Sequence, residues 1–122
     1  MIRRSLYAVI LSLCLPYAAW CGEADVERVT ITPVGEATFR FDVTVRHDDT
    51  GWDHFANKWD VLAPDGTVVG SRTLFHPHVD EQPFTRSLTN VSIPSPVRQI
   101  SVRAHCSVHG YGGKILDVKL PH

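Results

Sequence analysis

The stretch Thr38-Phe39-Arg40-Phe41-Asp42-Val43-Thr44-Val45-Arg46-His47 decides the fold. Phe39, Phe41, Val43 and Val45 alternate with Thr38, Arg40, Asp42, Thr44 and Arg46, and period two on a β-strand sends the apolar set to one face. A helix would scatter both sets around its circumference. His47 continues the inward set, so this strand is expected to end on an imidazole facing the core.

Outward from this strand the chain repeats the pattern. Val29 and Ile31 open an earlier strand, and Trp59 and Val61 make a short third one. Ala63-Pro64-Asp65-Gly66 is a turn whose residues preset the backbone. Val68 to Leu74 returns from it, and Ser87 to Ile93 is a fifth strand closed by Pro94-Ser95-Pro96. Ile100, Val102, Ala104, Cys106 and Val108 then face one way, against Ser101, Arg103, His105, Ser107 and His109. After Gly110-Tyr111-Gly112-Gly113, Lys114 to Leu120 is the last strand. No helical periodicity competes. Seven short strands separated by turn signals predict an all-β, immunoglobulin-like, seven-stranded antiparallel β-sandwich, with a closed barrel as the main rival.

In such a sandwich alternate connections share an end. The second-to-third, fourth-to-fifth and sixth-to-seventh loops hold His47, Trp52, His54, His76, His78, Asp80, Glu81, His109 and Tyr111, with His105 just below. The opposite-pole turns Pro64-Asp65-Gly66 and Pro94-Ser95-Pro96 have no histidine. Imidazole together with a thiolate suits a borderline or soft transition metal.

The 122 residues make one domain. Arg3 and Arg4 followed by the apolar run Ser5 to Leu15 read as a secretory signal, too short to span a bilayer. The expected division is a signal peptide over 1–21 and a sandwich domain over 22–122. Neither Cys14 nor Cys21 follows a lipoprotein pattern, because Leu13 and Trp20 are bulky. A periplasmic or secreted protein, free of the membrane after cleavage, is the expectation. Loss of Arg3 and Arg4 takes the formal charge from −1 to −3. That bias is too weak to suggest a nucleic-acid or membrane partner, and no basic patch stands out. Cleavage near Cys21 leaves Cys106 without a disulfide partner in an oxidising compartment. It reads either as a small buried hydrophobe or as a metal ligand.

The run His47-Asp48-Asp49-Thr50-Gly51-Trp52-Asp53-His54-Phe55-Ala56-Asn57-Lys58-Trp59, taken with Cys106-Ser107-Val108-His109-Gly110-Tyr111, resembles the iron domain of desulfoferrodoxin and superoxide reductase. Arg103 and Leu74-Phe75-His76-Pro77 are also similar to that family, so the resemblance covers about His47 to Tyr111. It implies an immunoglobulin-like sandwich with a mononuclear iron held by equatorial histidines and an axial thiolate that donates electron density. His47, His54 and His109 would be equatorial and Cys106 axial, with Cys106 and His109 nearest the chemistry. The implied activity is reduction of superoxide to hydrogen peroxide, fed by an electron donor that the chain does not name. This chain departs from the family at Asp48, where the family has proline, and in having no histidine between Gly22 and Arg46. The fourth equatorial place is left to His76, His78 or His105. Arg46 and Lys58 are the loose counterparts of a family lysine that attracts the anion.

Other readings stand beside this one. His76-Pro77-His78 spaces two imidazoles around a rigid residue and suits a copper or zinc carrier. His105 reads equally as an exposed strand residue. Asp48, Asp49 and Asp53 shape the loop or orient an imidazole from behind. Trp52 and Tyr111 are expected to wall the pole, sheltering a metal or contacting a protein or glycan in a metal-free interaction module.

Overall fold

The structure is a computed structural model and describes residues 22–121; the segment read as a signal peptide, with Cys14 and Cys21, lies outside the described residues, as does His122. Seven strands follow in order: β1 (Asp25–Gly35), β2 (Thr38–Arg46), β3 (Ala56–Leu62), β4 (Val68–Thr73), β5 (Phe84–Ser92), β6 (Gln99–Cys106) and β7 (Leu116–Lys119). They form two antiparallel sheets, β1-β2-β5 and β4-β3-β6-β7. The sheets are hydrogen-bonded separately, so the molecule is an all-β sandwich and not a closed barrel.

The alternation explains the core. Phe39, Phe41, Val43 and Val45 of β2 are buried, and they meet Trp59 and Val61 of β3 and Ile100, Val102, Ala104 and Cys106 of β6. Phe84 and Val91 of β5 complete the layer. Trp59 is the largest side chain with no exposure. Full burial of a side chain of this class dominates core energetics. At the end away from the histidines, Ala63 O accepts from Gly66 N–H at 2.9 Å, and Asp65 Oδ1 accepts from Thr67 N–H at 2.9 Å. That is the turn expected of Ala63-Pro64-Asp65-Gly66.

Several boundaries differ from the pattern reading, β7 among them, which spans only Leu116–Lys119. β1 begins at Asp25 and anchors through fully buried Ala24 and Val26, while Val29 and Ile31 are only half-buried. β5 starts at Phe84, ahead of Ser87, because Phe84 pairs with Val45 and fills the core. β6 stops at Cys106, so Val108 and His109 do not continue its alternation. A tight turn ends that strand: Cys106 and Gly110 exchange backbone hydrogen bonds of 2.9 Å, with Gly110 at φ +73°. Glycine adopts that left-handed conformation without steric cost.

Candidate metal centre

The three loops at one end of the sandwich are stitched together by backbone bonds. Ser107 N–H donates to Phe55 O at 2.9 Å, and Phe55 N–H to Ser107 Oγ at 3.0 Å, which joins the β2–β3 and β6–β7 loops. Gln82 ties in the β4–β5 loop: its Oε1 accepts from His47 N–H at 2.9 Å, and its Nε2 donates to His78 O at 3.0 Å. Within the β2–β3 loop, Thr50 N–H reaches His54 O at 3.0 Å and His54 N–H reaches Gly51 O at 3.1 Å. This turn presents the His54 ring inward.

Donor atoms converge at the floor of these loops. One ligand atom each from His47, His54 and Cys106 lie within 4.8 Å of one another. His47 Nε2 is 3.2 Å from Cys106 Sγ, and both residues are buried, at 1% and 0% exposure. The sulfur also receives Val108 N–H at 3.4 Å and His109 N–H at 3.3 Å. The turn at Gly110 creates these two contacts, since it curls the following amides back over the sulfur.

Asp49 holds His47 from behind. Its Oδ1 accepts from His47 Nδ1 at 2.5 Å and from Ala56 N–H at 3.1 Å, and its Oδ2 accepts from His78 N–H at 2.6 Å. Burial opposes ionisation of Asp49, but these three donors outweigh it and hold the carboxyl below its ordinary range. Burial likewise acts to lower the His47 pKa. The Asp49 hydrogen bond, Cys106 and the Gly22 carbonyl overcome it and raise the value to about 9. The metal-free molecule therefore carries His47 as an imidazolium at neutral pH. A carboxylate fixing Nδ1 leaves Nε2 to face the centre, the arrangement that orients metal-binding histidines.

The other expected residues fall in different places. His109 is exposed and packs edge-on against His54, with ring centroids 5.1 Å apart. It borders the three-donor group from outside. His78 is 6% exposed and stacks on Phe84, centroids 4.0 Å apart. Neither of its ring nitrogens has a hydrogen-bond partner among the described residues, and burial lowers its pKa, assisted by Arg86 and His76. His76 lies beside it at 4.7 Å between centroids and is exposed. His105 is removed from the centre: it faces out from β6, with Nδ1 2.6 Å from Asn57 Oδ1 and its ring against Tyr111. Tyr111 does not wall the pole. Its hydroxyl donates to Asp60 Oδ2 at 2.9 Å on the outer face of the four-stranded sheet, under the Arg103 guanidinium. Trp52 is exposed and touches Phe55 edge-on. Lys58 joins the Tyr111 cluster. Arg46 pairs with Glu27 at 2.6 Å and lines a hollow of about 110 Å³ with Glu23, Asp25, His47 and Asp48.

Two contributors escaped the sequence reading. Gln82 offered no signal beyond its place before Pro83. Gly22 contributes no side chain at all, yet its carbonyl oxygen lies 3.0 Å from His47 Nε2 and 3.3 Å from His54 Nε2. The chemistry of the set fits a single borderline or soft transition ion: two imidazoles, one sulfur and a supporting carboxylate.

A protein of Halomicrobium mukohataei named "Putative lipoprotein" is 41% identical to this chain over 96 residues, which is 79% of this chain and 47% of that protein. The chain thus spans about half the length of the curated relative it matches. No family model matches the chain, and no solved structure matches it.

Proposed function

We propose that this is an exported metal-binding protein of the superoxide-reductase type, holding one iron ion at His47, His54 and Cys106 with His109 at the margin. The observation that carries the reading is the approach of the His47, His54 and Cys106 donor atoms to within 4.8 Å, from loops up to 59 positions apart. The three-plus-four division of strands supports an immunoglobulin-like sandwich in which the fourth strand lies beside the third. The relative's name supports export of this chain, to the periplasm or the cell surface.

Iron bound at His47, His54 and Cys106 would supply one electron to superoxide, which with two protons gives hydrogen peroxide. The chain's own groups do the rest. Asp49 orients His47 and keeps its Nδ1 proton, so that Nε2 is the donor. The Val108 and His109 amides offset charge on the Cys106 sulfur and tune its donation.

The test is metal analysis of protein purified without chelator or affinity tag, followed by optical spectroscopy. Iron in stoichiometric amount, with a visible thiolate-to-ferric band that vanishes in Cys106→Ala, is expected. Superoxide consumption must exceed that of the same concentration of free iron; equality removes the enzymatic reading. A second reading rests on the unpartnered nitrogens of His78 beside His76: copper or zinc carriage there. It requires Cu(II) or Zn(II) binding that survives Cys106→Ser and fails in the His76→Ala, His78→Ala double variant. Undiminished binding in that variant refutes it.

A further inference from the structure

We infer that the Gly22 backbone carbonyl is itself a metal ligand, completing the set made by His47, His54 and Cys106. The inference rests on the metal-binding reading above and adds a donor that no side-chain pattern contains. Donor atoms sharing one ion at about 2.0–2.3 Å stand roughly 3.0–3.8 Å from each other. Gly22 O to His47 Nε2 is 3.0 Å, Gly22 O to His54 Nε2 is 3.3 Å, and His47 Nε2 to Cys106 Sγ is 3.2 Å. These three separations lie in that window, and the His54 and Cys106 donors lie within 4.8 Å of each other. Without a metal, the oxygen accepts hydrogen bonds from both imidazoles. Those protons leave when the nitrogens turn to an ion, and the oxygen then faces the cation at the same spacing.

The close approach is built into the chain. Gly22 has φ +91°, and a Cβ there would lie 2.5 Å from His109 Cδ2 and Nε2 and 2.9 Å from His54 Cε1. Only glycine lets the backbone reach these rings. The segment that follows is held firmly. Lys114 O accepts from Val26 N–H at 2.9 Å, Asp25 Oδ1 accepts from Lys114 N–H at 2.7 Å, and Ala24 and Val26 are fully buried. The carbonyl is therefore positioned by the anchored start of β1 and its bonds to Lys114. Two imidazoles and a thiolate with a weaker backbone oxygen is a recurrent donor set for first-row transition ions.

The experiment uses the full chain labelled with 13C at glycine carbonyls and 15N at glutamates, titrated with Zn(II). Only the Gly22–Glu23 and Gly35–Glu36 peptide bonds then carry both labels, and Gly35 lies at the far end of β1, so it serves as the control. The expected result is a shift of the Gly22 carbonyl resonance, saturating at one equivalent of Zn(II), with Gly35 unmoved. If Zn(II) binds, as the His54 ring resonances would report, while the Gly22 carbonyl stays in place, the oxygen is no ligand. If the Gly22 signal moves to its random-coil position, the ion expels the carbonyl, and the inference fails equally. Absence of any Zn(II) effect at His54 overturns the metal-binding reading and this inference together.

Discussion

Raising the pH of the metal-free protein is expected to destabilise it through one residue, His47. Its pKa is about 9 in the folded state against an ordinary 6.5. Between those values the folded protein keeps a proton that the unfolded chain has released, so stability falls as pH rises. The contribution is complete below about pH 6.5 and gone once the pH has passed about 9. At about 1.4 kcal/mol per pH unit the full loss is about 3 kcal/mol. With a urea dependence of about 1.5 kcal/mol per molar for a domain of this size, the midpoint should drop by about 2 M. The assay is urea unfolding at pH 6, 7.5 and 9.5 with chelator present, run in parallel on Asp49→Asn. That variant removes the carboxylate which offsets burial of His47, so its pH dependence over this window should be much flatter. Parallel curves for the two proteins would refute the assignment of the proton to the His47–Asp49 pair.

Three further outcomes follow from the packing and the site. Trp59→Ala empties the largest fully buried position and should cost about 3–5 kcal/mol in equilibrium unfolding. Asp60→Ala leaves Ser71, Arg103 and Tyr111 without the acceptor they now share; a loss of about 2–4 kcal/mol is expected from unpaired polar groups, with Zn(II) affinity unchanged in a calorimetric titration. Zn(II) at a hundredfold excess over its Kd should stabilise the native protein by about 2.7 kcal/mol in urea melts, and this gain should vanish in Cys106→Ser and in His54→Ala.

Much of this architecture is legible in the sequence because period two is unambiguous where charged and aromatic residues alternate. From Phe39 to His47 the alternation places every inward residue correctly, including the histidine. The alternation of loops between two poles then brings the β2–β3 and β6–β7 connections together, and with them His54, Cys106 and His109. What the pattern cannot carry is the path of the chain where alternation stops. The turn at Gly110 curls two amides onto the Cys106 sulfur, and that depends on a backbone conformation and not on a side-chain period. Asp48, Asp49 and Asp53 are equivalent as letters. Only Asp49 faces inward, two positions beyond His47, where it reaches the imidazole, the Ala56 amide and the His78 amide at once. His105 and Tyr111 lie close in sequence to the centre yet belong to the outer face, where Tyr111 bonds Asp60 and His105 packs on the Tyr111 ring. Gly22 was invisible because its contribution is a carbonyl.

X-ray absorption on the protein loaded with one equivalent of iron tests the central claim most directly. One sulfur scatterer at about 2.3 Å together with nitrogen or oxygen neighbours at about 2.0–2.2 Å is the expected first shell, with the sulfur contribution absent in Cys106→Ala. A shell of light atoms alone in the unaltered protein would contradict the account, since the ion would then sit away from Cys106.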